Sequence, residues 1–173
     1  TVMADNPPEV VDAVLAQLGI DPGLRLAINP RRSSRRLIAL DREVSARELL
    51  THFVELQKPA TNSQLRSLAA ANSSLTERSQ LTKLAEDGCA LSVLECLDEY
   101  PACALTGAEL LELLDPMVPR HYSIASSSLL SPRTVGLIVS VLDAPARSGR
   151  GLFKGVASNY LATVQPGQSI RAR

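Results

Sequence analysis
The sequence predicts an α+β fold, and three observations predict it. Between residues 45 and 115, apolar residues recur at helical spacing in stretches separated by short polar links. Beyond Pro116 the period falls to two: in TVGLIVSVLDA, Val135, Leu137, Val139 and Val141 share one face. Helices come first and strands afterwards, without alternation, which argues against a parallel α/β sheet.

Thr1 to Met3 read as the end of a strand. DNPPEVVDAVLAQLG reads as a helix, with Asn6 as cap, Pro7 at the first helical position, Glu9 completing a capping box and Gly19 as the stop. LRLAI and RLIAL, on either side of the basic NPRRSSR, read as a small hairpin. Its loop is either a solvated turn or a contact for an acidic partner. SARELLTHFVELQ opens with the capping pair Ser45 and Glu48, and TNSQLRSLAAA follows the breaker Pro59. TERSQLTKLAE follows ANSS, CALSVLECLDEY stops at Pro101, and TGAELLELL opens with Thr106 and Glu109. About six helices therefore occupy residues 7–115, with Leu and Ala on their buried faces. RHYSIASS and TVGLIVSVLDA read as strands, GVASNYLATV as a short helix beginning at a glycine, QPGQ as a turn, and SIRAR as a strand barely begun.

Composition narrows the function. Hydrophobic residues make up 45% of the 173, enough for a packed core. Lys plus Arg and Asp plus Glu both total 18, so no basic footprint for nucleic acid exists. No apolar run approaches the ~20 residues of a membrane span. Thr1 to Asn6 lacks the basic and apolar character of a signal peptide, and a cytoplasmic location is expected. Cys89, Cys96 and Cys103 form no C-x-x-C, and only His52 and His121 could join them, which argues against a metal site or disulfide framework. The chain opens TVMADNPP and closes PGQSIRAR, and is expected to be a piece of something longer.

Two stretches carry candidate chemistry. In PRHYSIASSS, Arg120 offers a planar fork of donors that matches phosphate oxygens, or is an ordinary surface arginine. Tyr122 lies on the same strand face and offers a ring to a planar ligand, or is a half-buried strand tyrosine. Ser123 points to the other face of a regular strand. In KGVASNYL, Gly155 allows close backbone approach, the helix after it presents free N–H groups and a positive dipole end, and Ser158 adds a hydroxyl. Together they offer an arginine and a helix N-terminus for phosphate, and a ring for a flat group.

RHYSIASS and GVASNYL together resemble the two flavin-binding motifs of the diflavin reductase branch of the ferredoxin–NADP reductase superfamily. ELLTHFVELQKPATNSQLRSLAA, LDEYPACAL and GLFKGVASNYLATVQPGQSI are similar to the reductase half of bacterial self-sufficient cytochrome P-450 fusions. The resemblance covers essentially the whole chain. It implies an all-helical connecting subdomain inserted in a partial antiparallel β-barrel: residues 1–6 a barrel strand end, 7–117 the helical subdomain with its hairpin, and 118–173 barrel with the pyrophosphate helix. It implies FAD as cofactor, with Arg120 on the pyrophosphate, Tyr122 on the isoalloxazine and His121 between them. Ser123 would lie near flavin N5 as the catalytic hydroxyl, Ile138, Val139 and Ser140 would line the flavin, and Gly155, Val156, Ala157 and Ser158 would hold the pyrophosphate. NADPH, FMN and haem are implied in domains of the same polypeptide outside this chain. The implied activity is NADPH–haemoprotein reduction, the fragment alone being inactive.

The sequence departs from the pattern at LDAPARSGRG, where the family often places a ring against the adenine; Arg147 or Arg150 would stack there instead. The three cysteines do not match the family's hydride-transfer cysteine and read as helix packing residues. A sulfite reductase flavoprotein is the alternative within the class. A cofactor-free helical interaction module built on residues 45–115 is the alternative outside it.

Overall fold
The computed structural model describes residues 1–27 and 42–172. Among the described residues, six helices precede residue 115: α1 (Pro8–Leu18), α2 (Ala46–His52), α3 (Asn62–Ala70), α4 (Leu75–Asp87), α5 (Val93–Glu99) and α6 (Gly107–Leu113). A seventh, α7 (Val156–Thr163), follows the strands β3 (Asp143–Pro145) and β4 (Leu152–Lys154). Two further strands, β1 (Arg25–Leu26) and β2 (Val44–Ser45), pair antiparallel, as do β3 and β4. The fold is α+β, with small antiparallel sheets.

Hydroxyl side chains start most of the helices. Ser45, Thr61, Ser74, Ser92 and Thr106 each accept a hydrogen bond from the third backbone N–H of the helix they open. Such a cap contributes about 1 kcal/mol. At Thr61–Gln64, Ser92–Glu95 and Thr106–Glu109 the reciprocal contact closes a capping box. Glu48 instead turns outward to Arg42, 2.5 Å away. Gly19, with φ +61°, ends α1 in the left-handed conformation that glycine adopts without steric cost.

α1 begins differently from the sequence expectation. Pro7 is its N-cap, no side chain caps it, and Asn6 is buried. The Asn6 amide donates to the carbonyls of Leu50 and Val54, both at 2.7 Å. It thus ties the N-terminal segment to the end of α2. Glu9 reaches Lys154 at 2.6 Å and closes no capping box, since Pro7 has no N–H to offer. α2 also stops five residues short of Gln57, at His52. Val54 pairs there with Pro116, and Glu55 N–H donates to the Asp115 carbonyl at 2.8 Å. Tertiary pairing has taken the backbone groups that a longer helix would use internally.

β1 pairs with β2 at the start of α2. Arg25 faces Ser45 and Leu26 faces Val44. The expected partner strand, residues 36–40, lies outside the described residues.

One apolar core fills the helical part. Val11, Leu15, Leu50, Leu65, Leu68, Leu81 and Cys96 are buried together, with Cys89 and Cys103 packed at its edge. A smaller cluster of Ala4, Met117, Val156 and Ala157 gathers Tyr122 and Tyr160 under α7. Val2 joins the two ends of the chain, bridging both Arg120 and Ala172.

Residues 118–142 depart most from expectation. Their extended segments meet at one antiparallel bridge, Ile124 to Leu137. Ala125 N–H donates to the Gly136 carbonyl, but Gly136 N–H donates to the Ser126 hydroxyl, so a side chain interrupts the ladder. Val135 and Val141 are exposed, while Leu137 and Val139 are half-buried. A lone pair of segments gains too little from pairing to hold a regular sheet.

Candidate functional site
Arg120 is held by its backbone and its head group. Its N–H and C=O exchange hydrogen bonds with Val2 at 2.9 and 2.8 Å. Its guanidinium donates to the Val118 carbonyl at 2.6 Å and pairs with the Glu55 carboxylate. The Glu55 side chain is only 7% exposed, so this charge pair is largely withdrawn from water on the acidic side. Two residues on, Tyr122 packs against the small cluster under α7. Ser123 is exposed.

The turn into α7 is built by contacts around one carbonyl and one hydroxyl. Gly155 N–H and the Asn159 amide both donate to the Leu142 carbonyl at 2.8 Å. Leu142 N–H donates to the Ser158 hydroxyl at 3.0 Å, which donates in turn to the Gly155 carbonyl at 3.1 Å. A Cβ at position 155 would stand 2.9 Å from both Leu142 Cβ and Ser158 Oγ, so only glycine permits this approach. No side chain caps α7, and its first-turn residues Val156, Ala157 and Ser158 are buried. Just before the turn, the Gln57 amide donates to the Lys154 carbonyl at 3.0 Å and accepts from Lys154 N–H at 3.2 Å. The Lys154 ammonium is raised above its ordinary pKa by its hydrogen bond to Glu9.

These parts surround one cavity of about 640 Å³. Of the sequence-predicted site residues, Arg120, His121, Tyr122, Ser140, Gly155, Val156, Ala157 and Ser158 line it. Ser123, Ile138 and Val139 do not, and Ile138 is 85% exposed. Glu55, Gln57 and Lys58 line the cavity from the helical side and were missed. The signal was available in VELQ, where apolar Val54 and Leu56 alternate with polar Glu55 and Gln57. Extending α2 through that stretch concealed the alternation.

A second groove of about 890 Å³ shares Gln57, Pro59, Leu142 and Phe153 with the first and runs between α1, α5 and the β3–β4 hairpin. Arg147 and Arg150, the expected adenine partners, both line it. Arg150 is bound to Glu99 and to Asp98 at 3.3 Å, and Ser148 donates to Glu95 at 2.7 Å, clamping the hairpin to α5. Among the described residues no cluster of histidine, cysteine and acidic side chains is placed to hold a metal ion. No helix among them is long and apolar enough to cross a membrane.

A guanidinium, a ring and an uncapped helix N-terminus thus stand around one cavity. A family model described as FAD binding domain matches residues 1–160. The chain belongs to that family. This FAD binding domain is 40% identical, over 98% of its length, to the self-sufficient cytochrome P-450 monooxygenase CYP505E3 of Phanerodontia chrysosporium. It is 35% identical, over 98% of its length, to bifunctional cytochrome P-450/NADPH–P-450 reductase 1 of Bacillus subtilis, and 34% identical, over 93%, to the bifunctional enzyme of Bacillus cereus. The domain spans 16 to 17% of the length of these relatives.

Proposed function
We propose that this domain holds FAD in the 640 Å³ cavity and serves a reductase that delivers electrons from NADPH to a haem monooxygenase on the same polypeptide. The observation that carries the proposal is the convergence of Arg120, Tyr122 and the α7 N-terminus on that cavity. The donor set suits a dinucleotide. A diphosphate takes bidentate contacts from a guanidinium and free N–H groups from an uncapped first turn. The glycine whose Cβ has no room allows the backbone to come close.

Within this reading, Arg120 and the first turn of α7 bind the diphosphate, His121 flanks them, and Tyr122 packs on the isoalloxazine. Ser140 lines the flavin together with the backbone of Ile138 and Val139. Ser123, next to the cavity-lining Tyr122 but outside the lining itself, would supply a hydroxyl near flavin N5. When bound, the flavin supplies hydride acceptance from NADPH and single-electron release toward FMN and haem, chemistry that belongs to the cofactor. Residues 7–117 form the connecting subdomain inserted in a barrel whose parts here are residues 1–6 and 118–173. The FMN, haem and NADPH domains are partners in the same polypeptide, and a cytoplasmic setting suits them.

The names of the relatives favour a haem acceptor over the sirohaem partner of a sulfite reductase flavoprotein. The family match runs through the helical residues as well, which disfavours a cofactor-free helical module. Absorbance of the purified full polypeptide tests the proposal. Flavin bands near one FAD per chain are expected, and a colourless protein that takes up no added FAD would overturn it.

A further inference from the structure
We infer that Glu55 and Gln57 are positioning residues that set the two halves of the phosphate site at their working separation, an inference that rests on the FAD reading above. The segment is anchored on alternate residues. Val54 and Leu56 are 4% and 3% exposed and belong to the helical core, so the polar residues between and after them turn toward the cavity. Glu55 grips the guanidinium of Arg120. Gln57 makes a two-point amide contact with the Lys154 backbone, immediately before Gly155 and α7. One short stretch of the helical part therefore touches both elements proposed to bind the diphosphate.

The chemistry of each contact suits that task. An arginine carries five N–H donors in a rigid fork. Glu55 and Val118 take donors from its two terminal nitrogens, which fixes the plane of the fork while other donors remain for an anion. Fixing a long side chain before the ligand arrives removes part of the entropic cost of binding. Glu55 also carries a negative charge beside the site, which opposes a bound diphosphate. Its net effect on binding is favourable only while Arg120 is present. Gln57 acts on the other half: its amide supplies the donor and acceptor that a neighbouring strand would supply, and so holds Lys154 and the start of α7 in place.

The test is FAD titration of the full polypeptide in a mutant cycle. Arg120→Ala, Glu55→Gln, Gln57→Leu and both doubles with Arg120→Ala are stripped of flavin and titrated, with far-UV circular dichroism and melting followed alongside. Glu55→Gln is expected to weaken FAD about tenfold in the native background. In the Arg120→Ala background the same change is expected to leave affinity unaltered or raise it, because it then removes only an unpaired carboxylate. Gln57→Leu is expected to weaken FAD in both backgrounds, since it acts through α7. Equal losses from Glu55→Gln in both backgrounds would mark a merely structural role and overturn the inference. So would unchanged affinity in Glu55→Gln or Gln57→Leu. If Glu55→Gln does not fold, Glu55→Asp is read in the same cycle. If Arg120→Ala alone leaves FAD affinity unaltered, the FAD reading of Arg120 fails; if it weakens FAD and Glu55→Gln does not, only the positioning role fails.

Discussion

Arg120 is already engaged by Glu55 and Val118, so a diphosphate would meet a guanidinium whose orientation is set in advance. Hydrogen bonds to charged groups contribute about 1.5–3 kcal/mol. Arg120→Ala is therefore expected to weaken FAD roughly 10- to 100-fold, as read by flavin fluorescence titration; an unchanged dissociation constant would remove Arg120 from the site. Ser123 is a different case, exposed and outside the cavity lining. Ser123→Ala is expected to slow flavin reduction by NADPH in stopped-flow experiments more than it weakens FAD, and an unaltered rate would end its catalytic role. Cys96 lies fully buried, and burial pushes its thiol well above the ordinary pKa. It is expected to resist alkylation in the folded protein and to react only after denaturation, as mass spectrometry would show. The arginine and the ring were legible in RHYSIASS because their chemistry is carried by the residue type itself. Glu55 was not, since nothing in one acidic side chain announces which distant cation it will meet.

At the scale of elements, the helices were more legible than the strands. Ser45 and Thr106 cap where the sequence puts them, because a hydroxyl three residues before a helical N–H is a local cause with a local effect. Asn6 looked like the same device, yet its amide is spent on carbonyls of α2 and its end, more than forty residues away. Strand formation over 118–142 depends on neighbours beside each segment, and those lie far apart in sequence. The turn into α7 gives the sharpest test at this scale. In Gly155→Ala the new methyl would meet Leu142 Cβ and Ser158 Oγ at 2.9 Å, so α7 or Leu142 must move. A loss of about 1–3 kcal/mol in stability, with weaker flavin retention, is expected. Thermal melting and the flavin content of the purified variant check it, and a wild-type melting point with full flavin content would show that the approach is not tight.

For the whole molecule, the helical part and the flavin-motif part are joined largely by polar contacts. Lys154 meets Glu9, Gln57 meets the Lys154 backbone, Arg120 meets Glu55, and the β3–β4 hairpin is clamped to α5. The large apolar core lies on one side only. Amides of α3, α4 and α5 are accordingly expected to exchange more slowly than those of residues 122–142, by hydrogen-exchange mass spectrometry. Acid is expected to loosen the joint. Hydrogen bonding to Lys154 holds the Glu9 carboxyl below its ordinary range, so its contribution is present above the unfolded carboxylate value of about 4.3. That contribution is lost as pH falls through the lowered folded value. The most direct test of the account is a crystal structure of the flavin-loaded polypeptide. The account predicts diphosphate density between Arg120 and the first turn of α7, with a flat ring against Tyr122. Density for the flavin elsewhere, with Arg120 still bound only to Glu55 and Val118, would contradict it.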